Sequence, residues 1–420
     1  MSFRFIHTAD IHLDSPLKSL ALRDSALSDL IGTATRAALV RIVDLCLEEA
    51  VDALLIAGDL YDDHQTSMKT ARFLVQQLQR LEAAGVTVFL IRGNHDAASR
   101  ITRELVLPPT VKVFGARADV HMLETGGRPV AVHGISFANK HAPESLLPRF
   151  RLPVQGATNI GMLHTSLAGA AGHDPYAPCS VAELQATGFD YWALGHVHVR
   201  AEYPGRSMVV MPGMPQGRDI GEAGPKSVTL VTVADDGSLR LQTRATALAQ
   251  FERVGVAVDG ISDWRDLVAA LGQALRDARR DHSADHLVLR PVLTGATPLD
   301  WRLLRDMDLL REEAMLVAES LDSVWIDKLE NLCRAGAAAP LGSGPLADLA
   351  GLIETGALAS PAVAVAAAEV ADELLRALPR ELRDLLGNAA ETMADHRAAL
   401  LHDGAAEVLA RLMVGSEDVA

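Results

Sequence analysis

The sequence predicts an α/β chain in which two sheets pack together with helices outside, followed by a small α/β unit and a helical tail. Three observations carry that reading. Over the first 250 residues short apolar runs alternate with long amphipathic stretches. That alternation then passes into strand-like runs separated by turn residues. From about Phe251 a shorter strand-helix pattern restarts, as a separate unit would.

Taken in order, strands are expected at Phe3–His7, Ala53–Ala57, Val86–Ile91, Val130–Ile135, Ile160–Leu163 and Tyr191–Leu194. Thr35–Ala50 and Ser67–Ala84 are long enough to be crossover helices between the early strands. Ser207–Met211, Ser227–Val233 and Leu239–Thr243 read as an antiparallel meander or hairpins, with Asp236-Gly237 at a turn. These elements make up a first domain, residues 1–250. Residues 251–333 read as a small α/β capping domain, with strands at Val254–Val258 and His286–Leu293 and helices at Trp264–Arg280 and Leu299–Glu313. AGAAAPLGSGP, Ala335 to Pro345, is a linker by composition, so residues 334–345 separate the cap from a helical region at 346–420. In that region Leu346–Glu354, Ala362–Ala377 and Ala389–Val414 are helical by composition and spacing.

With 49 % hydrophobic and 22 % charged residues the chain has ordinary globular composition. No early stretch reads as a signal peptide, because Arg4, His7, Asp10 and His12 interrupt the apolar run. The Ala/Val-rich Pro361 to Val370 is too short to span a bilayer. Cys46, Cys179 and Cys333 are scattered and odd in number, which argues for a reducing cytoplasm. The net charge of −15 lies almost wholly in residues 251–420, and residues 1–250 are close to neutral. Two bound divalent cations would turn the first segment slightly positive. No basic run forms the footprint of a protein that binds DNA unaided.

Five short motifs each follow an expected strand: Asp10-Ile11-His12, Gly58-Asp59-Leu60-Tyr61-Asp62, Gly93-Asn94-His95-Asp96, the isolated His164, and Gly195-His196-Val197-His198. In open α/β sheets functional groups gather beyond the carboxyl ends of the strands, so all five would converge. Glycines 58, 93 and 195 would permit the abrupt turns. Mixed imidazole and carboxylate ligands suit Mn²⁺, Fe²⁺ or Zn²⁺ better than Ca²⁺ or Mg²⁺. There are too many ligands for one tetrahedral ion, so two metals are the economical reading, with the anionic Asp59 as the bridge. Two cations would acidify a bound water.

As a set, the five motifs resemble the pattern of calcineurin-like metallophosphoesterases over about residues 1–245. HTADIHLDSPL (residues 7–17), GDLYD (58–62), the small domain after 250 and the helical tail resemble the DNA-repair exonuclease branch, with its SbcD-like nucleases and, nearer, YhaO-like proteins. The resemblance implies a four-layer α-β-β-α sandwich. It implies one metal held by Asp10, His12, Asp59 and His198, and another by Asp59, Asn94, His164 and His196. His95 would be a catalytic histidine that holds no metal, stabilising or protonating the leaving oxygen, and Asp96 the neighbour that orients or polarises it. Members of the branch act on DNA with an SbcC-like or YhaN-like coiled-coil ATPase that binds the C-terminal region. The linker and apolar tail helices fit such a docking element.

Other residues divide between structural and functional readings. His7 and His133 lie in strands and read as structural. Asp14 would support the metal ligands or stabilise a turn; Asp62 and Asp63 would bond the ligands or cap the next helix. His64 is a candidate substrate contact. The loop His173–Cys179 should rim the site, where His173 could approach a phosphate and Tyr176 could stack on a base, or it could be a rigid Pro-fixed shield. Cys46 and Cys179 read as small buried hydrophobes. Leu39, Val40, Ile42, Val43 and Leu47 put apolar residues on more than one face of the first helix, which allows a homodimer through a helical bundle.

Three functions are consistent with these features. The first is a two-metal phosphodiesterase acting on DNA as exonuclease or endonuclease within an SbcCD-like complex. The second is a phosphodiesterase or phosphatase for nucleotides or other small phosphate esters, which the acidity favours. The third is a scaffold subunit of a coiled-coil ATPase complex, against which the complete ligand set argues.

Overall fold

A computed structural model describes residues 2–15, 25–62, 67–98, 106–124, 127–167, 176–335, 345–377 and 390–413. Strands β1 (Phe3–Thr8), β2 (Ala53–Ala57), β3 (Thr87–Ile91) and β4 (Val111–Val113) run parallel, with helices α1 (Ser25–Glu48) and α2 (Met68–Ala83) between the first three. The short helix α3 (Asn94–Ala98) follows β3 directly. A second group comprises β5 (Asp119–Leu123), β6 (Val130–Gly134), β7 (Thr158–His164), helix α4 (Val181–Ala186), β8 (Tyr191–Gly195), β9 (Ala201–Tyr203) and β10 (Met208–Met211). β11 (Ser227–Val233) and β12 (Leu239–Ala245) return to the first group, giving two six-stranded sheets ordered β12-β11-β1-β2-β3-β4 and β5-β6-β7-β8-β10-β9.

Period-two alternation explains how the layers form. Phe3 and Phe5 of β1, Leu55 of β2, Phe89 of β3, Val132 of β6, Met162 of β7 and Tyr191 of β8 share one core between the sheets. Their neighbours Ile6, Leu54 and Ile56 face the other way, onto Leu39, Ile42 and Val43 of α1 and Leu74 and Leu78 of α2. On the far side of the second sheet, Trp192, Leu163 and Val209 pack with Phe189 and Leu184 of α4. The central strands are covered on both faces, which is why they read as continuous apolar runs. The expected four layers are present.

Several expectations are corrected. Ser207–Met211 does not form a meander with its successors: β10 runs parallel to β8 in the second sheet, and only β11 and β12 form a hairpin in the first. α1 starts at Ser25 rather than Thr35. The pair Gly32-Thr33 looks like a helix breaker but is exposed, while Leu27, Ile31 and Ala34 continue the buried stripe. That stripe accounts for Leu39, Ile42 and Val43, with Leu47 packed at its edge, while Val40 is half-buried and outside that core.

Two compact units are found, one comprising Met1–Glu252 with His282–Val288 and the other Arg253–Asp281 with Leu289–Ala420. In the second, β13 (Ala249–Ala257), β14 (His286–Thr297) and β15 (Val324–Ile326) are neighbours, and β16 (Glu330–Ala335) pairs in parallel with β14. α5 (Trp264–Asp281) buries Leu267, Leu271 and Leu275. The helix expected at Leu299–Glu313 is broken at Asp306 into α6 (Asp300–Arg305) and α7 (Met307–Ser320). In the tail are α8 (Pro345–Leu352), α9 (Pro361–Ala377) and α10 (Ala390–Leu412), and Arg305 of α6 donates to the carbonyl of Met413 beyond α10. Among the described residues no single helix is long and apolar enough to cross a membrane. The pair Pro345–Ala357 and Pro361–Ala377 meets that test together by length and composition, and is bent by 81°. The linker residues 336–344 lie outside the described residues.

His7 shares the inner face of β1 with Phe3 and Phe5. It is fully buried, with Nδ1 2.9 Å from the Tyr191 hydroxyl and Nε2 3.0 Å from the Leu194 carbonyl. It therefore ties β1 to β8 across the core, just below the motifs that end both strands. Burial lowers its pKa to about 3. Below its ordinary pKa the unfolded chain takes up a proton that the folded chain refuses, so stability present above about pH 6.5 is lost as pH falls towards 3. Between pH 7 and 5 metal-stripped wild type should lose about 2 kcal/mol more in urea unfolding than His7→Gln. Equal losses would contradict a neutral buried His7.

Candidate metal centre

The motif residues are held in backbone that ordinary side chains avoid. Asp10 (φ 52°), His12 (φ 45°), Asp59 (φ 52°) and His196 (φ 100°) are all left-handed. Each such residue costs on the order of 1–3 kcal/mol and persists only where its surroundings enforce it. Here the amides of Asp10, His12 and Leu13 donate to the carbonyls of Gly58, Asp59 and Leu60 at 3.0, 3.0 and 2.9 Å. The segments leaving β1 and β2 are thus zipped together, and the His196 amide reaches both Asp10 carboxylate oxygens, at 3.1 and 3.0 Å.

Only one of the three expected turn glycines is needed for its φ. Gly58 adopts φ 95°, whereas Gly93 and Gly195 are required by close approach. A Cβ on Gly93 would lie 2.2 Å from Asp59 Oδ1 and 2.8 Å from His164 Nε2, and one on Gly195 would lie 2.0 Å from the Ala57 carbonyl.

Around these glycines candidate ligand atoms gather, among the described residues, into three groups, one of which, His12 with Asp62 and His95, shares His12 with another. The remaining two hold the motif ligands. Asp59, His164 and His196 form one, and Asp10, His12 and His198 the other; within each group the candidate ligand atoms all lie within 4.8 Å of one another. His164 Nδ1 lies 2.9 Å from the Ala57 carbonyl, an acceptor, so a neutral ring carries its proton there and presents a lone pair at Nε2. That lone pair faces Asp59 Oδ2 at 3.3 Å and Asn94 Oδ1 at 3.1 Å. In the second group His12 Nδ1 is 3.1 Å from Asp62 and His198 Nδ1 is 2.9 Å from Glu222, which leaves the two Nε2 atoms facing each other at 3.3 Å. Acceptors converge on acceptors in both groups, which is the donor arrangement that divalent cations satisfy. Burial opposes a charged His164, yet Asp59 beside it holds its pKa up to about 9, so without a metal a proton on Nε2 bridges to Asp59 at the place a cation would take.

A model of the calcineurin-like phosphoesterase family matches residues 3–200, and one described as metallophosphoesterase YhaO, middle domain, matches residues 251–334. The uncharacterized metallophosphoesterase YhaO of Bacillus subtilis (strain 168) is 33 % identical over 305 residues, which cover 71 % of this chain and 73 % of that one. The chain belongs to the calcineurin-like metallophosphoesterases. A more distant relative is the DNA double-strand break repair protein Mre11 of Methanopyrus kandleri, 25 % identical over 60 % of this chain and 55 % of that protein. The chain thus spans about half the length of the Mre11 relatives it matches. A dimetal phosphatase from Danio rerio matches with a TM-score of 0.36 at 13 % identity, over 58 % of this chain and 96 % of that one. A metallophosphoesterase is a metal-dependent hydrolase, and these His and carboxylate clusters are candidate metal-binding groups.

The other expected site residues of this metallophosphoesterase divide sharply. His95 is 32 % exposed, its ring edge-on to His12 at 5.0 Å, its amide 3.0 Å from Asp59 Oδ1 and its Nδ1 3.1 Å from Asp62 Oδ1. Asp96 lies elsewhere, accepting from the amides of Leu60, Tyr61 and Gly93 at 3.2, 3.0 and 3.2 Å. Burial and the nearby Asp59 charge both push its pKa up. Asp14 clasps Arg36 of α1 and Thr70 of α2, steadying the segment after β1. His133 pairs with Asn159 inside the second sheet's outer core. Tyr176 rims the centre, its ring 5.0 Å from that of His196 and nearly parallel to that of His141. Asp63, His64 and His173 lie outside the described residues.

Two contributors lay outside the sequence motifs: Glu222, on His198, and Arg218, which grips Glu222. Their only sequence signal was a polar cluster, Gln216 to Glu222, in the loop after a strand end. Burial works to raise both carboxyls, but hydrogen bonds from His12 and His95 hold Asp62 well below the usual range, and those from His198 and Arg218 do the same for Glu222.

Gly93→Ala should disturb Asp59 and His164 without altering a strand, weakening Mn²⁺ binding on the order of 10- to 100-fold by calorimetry. An unchanged affinity, with an unchanged circular dichroism spectrum, would contradict this packing.

Proposed function

We propose that the chain is a two-metal phosphodiesterase acting on DNA, as exonuclease or endonuclease, with Mn²⁺ as the working ion. The surroundings of Asp59 carry the reading: its carboxylate groups with His164 and His196 and interacts electrostatically with His12 and Asp10 of the other group, so a bridge between two ions would satisfy it. Asp10, His12, Asp59 and His198 would hold one ion, and Asp59, Asn94, His164 and His196 the other. Bound, the two cations supply an acidified water and neutralise charge on the phosphate's non-bridging oxygens.

The remaining work falls to the chain. Asp62, 3.1 Å from His95 Nδ1, would orient the ring and stabilise it as an imidazolium, so that Nε2–H can give its proton to the leaving oxygen and return the ring to neutral. That role, expected of Asp96, is proposed for Asp62; Asp96 instead staples the loops that carry Asp59 and His95. Tyr176, whose ring lies 5.0 Å from that of His196, would stack against a base.

The DNA reading is supported by the Mre11 relatives and by the branch resemblance in the motifs. The chain is proposed to act in the cytoplasm with a coiled-coil ATPase of the SbcC-like or YhaN-like kind. The tail would be its docking element, since Leu352, Val365, Val370, Leu374, Leu400 and Val408 are exposed there. Such a partner would also supply the basic surface that this acidic chain lacks.

With Mn²⁺, hydrolysis of bis-p-nitrophenyl phosphate and of linear single- and double-stranded DNA is expected, and p-nitrophenyl phosphate should be a poor substrate. His95→Asn should lose about 10²- to 10⁴-fold in kcat while keeping its metal content. Failure to degrade any DNA, with the ATPase present, would exclude the nuclease reading; wild-type turnover in His95→Asn would exclude the acid role.

A further inference from the structure

The loop from Gly213 to Glu222 belongs to no metal motif, yet it is built rigidly against the centre. Gly213 adopts φ 72° because a Cβ there would lie 2.8 Å from the His198 carbonyl, which accepts the Met214 amide at 3.2 Å. Buried Gln216 pins the loop by donating to the Ala249 carbonyl at 2.7 Å and accepting the Leu248 amide at 2.7 Å. This anchoring sets the direction of Arg218, whose side chain is only 22 % exposed.

One edge of the Arg218 guanidinium is committed to Glu222: Nε lies 3.2 and 3.1 Å from its two carboxylate oxygens and Nη2 2.6 Å from Oε1, and the Arg218 amide donates to Oε2 at 2.8 Å. The remaining nitrogen, Nη1, turns the other way, 3.4 Å from Ser15 Oγ and 3.8 Å from Asp62 Oδ2. Ser15 itself donates to that Asp62 oxygen. Glu222 receives His198 Nδ1, Asp62 receives His12 Nδ1, and His95 Nδ1 lies 3.1 Å from the same Asp62 oxygen.

We propose that Arg218 is a positioning residue that clamps the two carboxylates, Glu222 and Asp62, on which three histidines of the centre depend. A single planar fork fixes Glu222 bidentately and supplies countercharge to Asp62. Both carboxylates then hold the metal-facing imidazoles, His12 and His198, with the proton on Nδ1 and the lone pair on Nε2, and Asp62 also orients His95. Partners of this kind are generally worth 10- to 100-fold in metal affinity. The clamp acts on the Asp10, His12 and His198 group; the Asp59, His164 and His196 group takes its orientation from the Ala57 carbonyl and from Asn94 instead.

The proposal rests on the two-metal reading, and calorimetry on the metal-stripped full chain separates the two. Mn²⁺ is titrated into wild type, Arg218→Ala, Arg218→Lys and Glu222→Gln. Wild type should bind two ions. Arg218→Ala should bind one of them about 10- to 100-fold more weakly and the other within about twofold. Arg218→Lys, with charge but no fork, should fall between. Glu222→Gln keeps shape and acceptor, disturbs the loop least, and should weaken the same ion. At saturating Mn²⁺ the Arg218→Ala loss on bis-p-nitrophenyl phosphate should appear in kcat rather than KM. Wild type binding no pair of ions would overturn the metal reading itself. Two ions bound as tightly in all variants, with KM alone raised in Arg218→Ala, would overturn the clamp and make Arg218 a phosphate contact.

Discussion

Lone pairs pointed at lone pairs govern this molecule. His164 Nε2 faces Asp59 and Asn94 oxygens, and His12 Nε2 faces His198 Nε2, while the ring protons are held on the opposite nitrogens by Ala57, Asp62 and Glu222. Such a cluster needs a positive charge at its centre, a cation or, at His164, a proton shared with Asp59, and burying it costs solvation as well. The surrounding structure holds the cluster together: residues in left-handed backbone at the strand ends, a zipped pair of loops, and glycines on which the ligands rest directly.

The fold supplies the rigidity. Two sheets share one core, and His7 bonds across it from β1 to the carbonyl of Leu194, two residues before His196. A shift of either sheet would therefore move ligands from both. Further out, Asp14 with Arg36 and Thr70, and Asp96 with three amides, hold the loops in which Asp10, His12 and Asp59 lie. Most polar side chains near the centre serve position, and His95 and His198 each leave about a third of the side chain exposed there.

Much of this was legible because its signals are local. Ala53–Ala57 and Ser227–Val233 fall where alternation and turn residues placed them, and the five motifs stand at strand ends within a few residues of each strand. What escaped depends on contacts between distant segments. Edge strands β4, β5 and β9 are short and half-exposed, so their residues carry no clear apolar run. β15 and β16 of the second unit were missed likewise. The choice between Asp62 and Asp96 as the partner of His95 turns on side-chain direction, which spacing does not encode. Glu222 meets His198 across 24 residues through a loop with no recognisable motif.

The most direct test is anomalous diffraction from crystals grown with Mn²⁺. Two peaks are expected, one among Asp10, His12 and His198 and one among Asn94, His164 and His196, with the Asp59 carboxylate in contact with both. A single peak, or ions lying away from Asp59, would contradict the account.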